Sequence, residues 1–125
     1  MNPASMPPPA AGAISVWLLV AGAVGCNVIA QLSIKRAAPV ALLPLHHWFA
    51  PSMIAAVAFY GISFVLTALV YSRLPLTVAS PLMTGAVFAL IAVSATWLLG
   101  ETLSPVRMAG MALVALGIVL LARDV

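Results

Sequence analysis

Asn27, Gln31 and Lys35 follow one another at intervals of four residues within an otherwise apolar run. On a helix that spacing puts all three on one face. Two carboxamides can donate and accept hydrogen bonds with a hydroxylated ligand such as a sugar. A lysine one turn further on, at the edge of the run, can hold an anion through charge-assisted bonds. Arg36 adds a second cation beside it. A second polar column is Tyr60, Ser63, Thr67 and Tyr71. At about 100° per residue its members fall within roughly an 80° arc. A third is Thr77, Ser80 and Thr84, next to Pro81 and Gly85, a pair able to kink a helix. Polar columns facing lipid are costly, so these should point inward or into a wet cleft. Isolated Ser and Thr also glue helices together, at about 0.6 kcal/mol each. Glue is the preferred reading for them, and a functional cleft for Asn27 with Gln31.

The sequence offers little to catalysis. It has no glycine loop for a nucleotide, no nucleophile paired with a base and no cluster of metal ligands. His46 and His47 are adjacent, the wrong spacing for one helical face, and read as surface. The single cysteine, Cys26, excludes an internal disulfide and reads as a small packing residue. The acidic residues are Glu101 and Asp124, and neither falls inside an apolar run. A proton-coupled exporter usually places a carboxylate in mid-membrane, where burial moves its pKa toward neutrality. The expectation is a protein that is not an enzyme and carries no cofactor and no metal.

The elements that must position these residues are apolar runs. Of 125 residues, 65% are hydrophobic and 6% charged, and the mean hydropathy is +1.23. Soluble domains carry about 25% charged residues, so lipid must be the solvent here. A bilayer core of about 30 Å needs about 20 apolar helical residues. Four runs qualify, at about 13–34, 51–72, 76–99 and 105–122. Backbone groups in lipid must be satisfied internally, which makes them helices. The expected fold is an all-α integral membrane protein, a four-helix transmembrane bundle over 13–125. A disordered Pro/Ala-rich tail over 1–12 should precede it. The first run should end at Lys35-Arg36, and the longest loop, Ala37 to Ala50, should follow.

The other connections are short, so consecutive helices should pack antiparallel. Gly100, Ser104 and Pro105 stand in the order of a C′ glycine, an N-cap and an N1 proline. Trp17, Tyr71 and Trp97 lie near run ends, where aromatic belts form. One side of the bundle would carry Lys35, Arg36 and Arg107, the other Arg73 and Arg123. So even a balance gives little bias under the positive-inside rule. It permits dual orientation or an oppositely oriented partner, and equally one orientation fixed by Lys35-Arg36. The cations sit at run ends rather than in a basic stretch, so no nucleic-acid partner is expected. Gly110 and Gly117 are seven residues apart, with Ala109 and Ala112 nearby, a small-residue face suited to a dimer interface.

Four short helices in about 110 residues resemble the small members of the drug/metabolite transporter superfamily. The resemblance runs from about Val16 to the end. Within that superfamily the small multidrug resistance exporters share the scheme. They include a glycine pair in the fourth helix, like Gly110 and Gly117, used for antiparallel dimers. Their first-helix glutamate matches Asn27 here, in the stretch Gly22 to Val28, a departure that argues against proton-driven drug export. Subunits of the flippase for aminoarabinose linked to undecaprenyl phosphate are similar in Asn27 to Lys35, with Gln31 and Lys35 shared. They are also similar in Leu74 to Leu82 and in Gly100 to Arg107, followed by Gly110 and Gly117 to Leu120. Gly-Glu with Ser-Pro before the fourth helix recurs across the superfamily.

The resemblance implies a flippase subunit of the bacterial inner membrane that moves a lipid-linked sugar phosphate. It would work as a homodimer, or as a heterodimer with a similar four-helix subunit, among membrane lipids. The polyprenyl tail can stay in the bilayer, so only sugar and phosphate need a polar path. Asn27, Gln31, Tyr60 and Ser80 are candidates to bind the sugar, and Ser63, Thr67 and Thr84 are further candidate substrate-binding residues. Lys35 and Arg36 are candidates for the phosphate, and equally orientation anchors. Glu101 is a candidate for a sugar amino group, though an ion pair with Arg107 is preferred. The alternatives are an exporter of small molecules or cationic drugs, and a non-transporting scaffold subunit of a larger membrane complex.

Overall fold

The structure is a computed structural model, and it describes residues 15–41 and 48–123. The described chain is helical: α1 Val16–Ala41, α2 Pro51–Tyr71, α3 Leu76–Leu99 and α4 Pro105–Arg123. Three stretches, Val16–Ala37, Pro51–Tyr71 and Leu76–Leu99, are long and apolar enough to cross a membrane. The apolar stretch of α4, Pro105–Leu121, is shorter. The tail 1–12, His46, His47 and Asp124 lie outside the described residues.

Proline and glycine punctuate the chain where backbone chemistry asks for them. Pro51 opens α2, a position where its missing N–H costs nothing. Between α2 and α3 the N–H groups of Arg73 and Leu74 both reach the Val70 carbonyl at 2.9 Å. Pro81 lies inside α3 without ending it. Having no N–H, it leaves the Thr77 carbonyl without its helical donor. Gly100 closes α3 with φ 66, the left-handed geometry only glycine adopts freely. Its N–H and that of Glu101 both converge on the Ala95 carbonyl. The Ser104 hydroxyl then accepts the Arg107 N–H at 3.3 Å, so the serine caps α4 as its position foretells.

One boundary differs from expectation. α1 does not stop at Lys35-Arg36 but continues to Ala41. Charged residues do not break a helix; they only mark where the lipid-facing part ends. The loop read as Ala37 to Ala50 is correspondingly shorter.

The principal contact is α1 against α2, with α3 laid on α1 and touching α2 more lightly. Two seven-residue series make that contact close. Ala23, Ala30 and Ala37 are buried on α1, and Ala56, Ser63 and Val70 on α2. Small residues at heptad spacing let helix backbones approach one another. The Ser63 hydroxyl donates across the seam to the Ala23 carbonyl at 2.8 Å. Leu19, Val24, Val28, Ala79 and Met83 complete the core. Among the described residues α4 packs on α3 alone. There Ile118 sits over Gly85, where a Cβ would overlap its Cδ1. The rest of α4 is open: Leu113 is 69% exposed and Val106 82%. Among the described residues nothing lies within 4 Å of where a Cβ on Gly110 or Gly117 would stand. No described residue packs on the small-residue face read from the sequence, and Gly110 borders the groove between α3 and α4.

Candidate functional site

α1, α2 and α3 enclose a cleft of about 400 Å³. Part of each helix's polar column reaches it. α1 contributes Asn27 and Gln31, α2 contributes Ser63, Thr67 and Tyr71, and α3 contributes Thr84. Met83, Val87, Phe88 and Ile91 form its apolar side. Gln31 Nε2 donates to Asn27 Oδ1 at 2.7 Å, one helical turn away. Each carboxamide has two N–H groups and a carbonyl. Pairing consumes one donor and one acceptor, so donors and an acceptor remain for a ligand. Ser63 has committed its proton to Ala23 and acts as glue. The hydroxyls of Thr67, Tyr71 and Thr84 make no hydrogen bond to a described residue, which leaves them to the cleft.

A second cleft of about 430 Å³ continues from the first, sharing Gln31 and Ile91. Tyr60 lines it, and Lys35 and Glu101 stand at its end. Lys35 Nζ lies 3.4 Å from Glu101 Oε1. The preferred sequence reading paired Glu101 with Arg107 instead. The correction has a simple cause. The turn after Gly100 carries Glu101 over the end of α1, while Arg107 faces the groove between α3 and α4. The pair is solvated, with 61% and 42% of its side chains exposed. Such pairs contribute about 0–1 kcal/mol, so this one matters for placing charge rather than for stability. From Asn27 to Lys35 the column climbs two turns, about 12 Å.

Eight of the ten candidate binding residues thus meet along one connected path: Asn27, Gln31, Lys35, Tyr60, Ser63, Thr67, Thr84 and Glu101. Arg36 and Ser80 do not line either cleft. Arg36 follows Lys35 by one residue, about 100° around the helix, and is exposed. Tyr71, read from the sequence both as a member of the α2 polar column and as a belt residue, lines the first cleft but was not among the candidate binding residues. Its spacing with Thr67 was the available signal. The apolar wall had no signal, because cleft-facing and lipid-facing Phe or Ile look alike in sequence. Cys26 is half-buried and lines neither cleft.

No protein-family profile matches the chain, and no solved structure matches it. A protein of Sinorhizobium fredii, described as "Uncharacterized protein y4nH", is 36% identical to it over 73 residues. The matched stretch is 58% of this chain and spans 62% of that relative's length.

Proposed function

We propose that this protein is a subunit of a bacterial inner-membrane flippase that moves an undecaprenyl-phosphate-linked sugar between leaflets, acting as a dimer. The observation that carries the reading is the polar path. It runs from Tyr71, Thr67 and Thr84 past Asn27 and Gln31 to Tyr60, Lys35 and Glu101. Hydroxyls and carboxamides suit a sugar, which both donates and accepts. Lys35 at the path's end suits a phosphate, and Glu101 beside it an amino substituent. No carboxylate lines the deeper cleft, and Asn27 stands where small multidrug exporters carry theirs. That favours a substrate bound by hydrogen bonds over a hydrophobic cation exchanged for protons. In this reading α4 is the fourth span. Its 19 residues rise about 28 Å, close to a core of about 30 Å. Its open face with Gly110 and Gly117 would meet a second subunit.

The test is native mass spectrometry of the purified protein in detergent with undecaprenyl phosphate, using tetraphenylphosphonium as competitor. The reading expects retention of the polyprenyl phosphate, weakened about tenfold by Gln31→Ala or Lys35→Ala, as expected for losing one charge-assisted or buried hydrogen bond. Retention of the cation alone would contradict it and favour an exporter. Retention of neither would favour a scaffold subunit.

A further inference from the structure

A third cavity, a groove of about 380 Å³, runs between α3 and α4. Phe88, Ala92, Ala95, Met111 and Val114 give it apolar walls, and charge appears only where Glu101 and Arg107 stand. Glu101 is engaged by Lys35. Arg107 makes no ion pair with a described residue. The groove shares Ile91, Ala95 and Glu101 with the second cleft, so the two adjoin along α3 and meet at Glu101. α4 touches only α3 among the described residues, so none of them covers the groove's outer side. Arg107 to Val114 is seven residues, about 10 Å of helix.

From this we infer that the α3–α4 groove seats the first part of the substrate's hydrocarbon tail, with Arg107 at the junction where tail meets phosphate. The inference rests on the flippase reading and adds the route of the tail. Three observations select this occupant over a loosely held bilayer lipid. The groove and the second cleft share Ile91, Ala95 and Glu101 in their linings, so an amphipathic molecule lying over Glu101 would touch both. Its polar end coincides with the charged end of that path. The cations there, Lys35 and Arg107, exceed the one anion, Glu101, by one, which suits a phosphodiester. A guanidinium also matches phosphate oxygens in a bidentate fork. The headgroup would then sit between α1, α2 and α3, and the tail would leave between α3 and α4.

The experiment uses the full chain in detergent and a polyprenyl phosphate carrying a diazirine on an isoprene unit near the phosphate. Photolysis should label peptides around Ala92 on α3 and Met111 on α4. Ala92→Phe narrows the groove without touching either polar cleft. It should weaken binding of the long-chain phosphate roughly tenfold, the equivalent of about two methylenes withdrawn from contact. A two-isoprene phosphate reaches the same part of the groove and should lose as much. Ala92→Phe should keep the helicity and thermal unfolding of the wild type, which places its effect in the groove rather than in misfolding, and Met111→Ala, which widens the same groove, should keep the labelling of α3. Labels on α1 and α2, with Ala92→Phe binding as tightly as wild type and Gln31→Ala still weakening, would overturn the groove and leave the flippase reading standing. No binding of either phosphate by the wild type would overturn both. Groove labelling by a diazirine phosphatidylglycerol, undiminished by excess polyprenyl phosphate, would assign the groove to a bilayer lipid and overturn the inference.

Discussion

The α1–α2 seam and the α4 face use the same device with opposite outcomes. On α1 and α2 small residues recur every seven positions, and each is buried against the neighbouring helices. On α4 Gly110 and Gly117 also stand seven apart, yet no described residue comes within 4 Å of a Cβ built on either one. A small-residue heptad therefore says that a close helix contact is possible, not which helix makes it. Partner choice comes from the side chains that fill the space left. Ser63 finds a carbonyl on α1, whereas α4 is held through Ile118 in the hollow of Gly85. The firm part of the bundle is the α1–α2 seam; α3 and then α4 are attached to it in turn, α4 through α3 alone among the described residues. The polar path is built by α1 to α3 and the turn that leaves α3.

The largest effect should come from filling the firm seam. Ala23→Leu puts a bulky side chain where none is exposed. It should cost about 3 kcal/mol, the upper end for overpacking, as read by denaturant titration of helicity in micelles. Gly110→Leu on α4 should cause no loss in the same titration. Equal losses at the two sites would erase the distinction between firm and attached parts. Next comes the α3–α4 hinge point. Gly85→Leu should cost about 1–2 kcal/mol, since a side chain rather than backbone must yield. Adding Ile118→Ala should recover part of that cost, and a double-mutant cycle with no coupling would remove Ile118 from the contact.

Smaller still is the effect expected for Ser63→Ala. It deletes one interhelical hydrogen bond and should cost about 0.6 kcal/mol. It should leave polyprenyl phosphate binding within about twofold, because the Ser63 proton already serves Ala23. Loss of binding without loss of stability would return Ser63 to the ligand. The smallest effect belongs to Leu113→Ala, exposed at 69%. Protomer stability should stay within about 0.5 kcal/mol. A drop in dimer population, read by subunit crosslinking, is the expected consequence if this face meets a second copy.

Much of the architecture was legible because local chemistry dictated it. The apolar stretch at 76–99 gave α3 to the residue, since Pro75 and Gly100 mark its ends by their own backbone limits. Ser104 capped α4 for the same reason. The helix members of the polar path stood in spaced columns that were legible too, although Thr77 and Ser80 share the column of Thr84 and line neither cleft. What lay beyond reach depended on where faces meet. Glu101 and Lys35 are far apart in sequence, and only the packing of α3 on α1 brings them within 3.4 Å. The same packing, not spacing, takes Arg107 into the groove and leaves Ser80 out of the clefts. The heptads of Ala23 and Ser63 were hidden for another reason: alanine is common in apolar helices, so its register carried little signal beside the more conspicuous glycines of α4.

The central claim is that the cleft around Asn27 and Gln31 is a wet path that accepts a polar headgroup. It is tested most directly by thiol accessibility. In a Cys26→Ser background, Thr67→Cys and Thr84→Cys would each be treated in proteoliposomes with a membrane-impermeant methanethiosulfonate reagent. Both should react, and undecaprenyl phosphate should slow the reaction, with protection lost in Gln31→Ala. If neither reacts while Ser72→Cys, exposed in the turn after α2, reacts freely in the same vesicles, the cleft is dry and the account is contradicted.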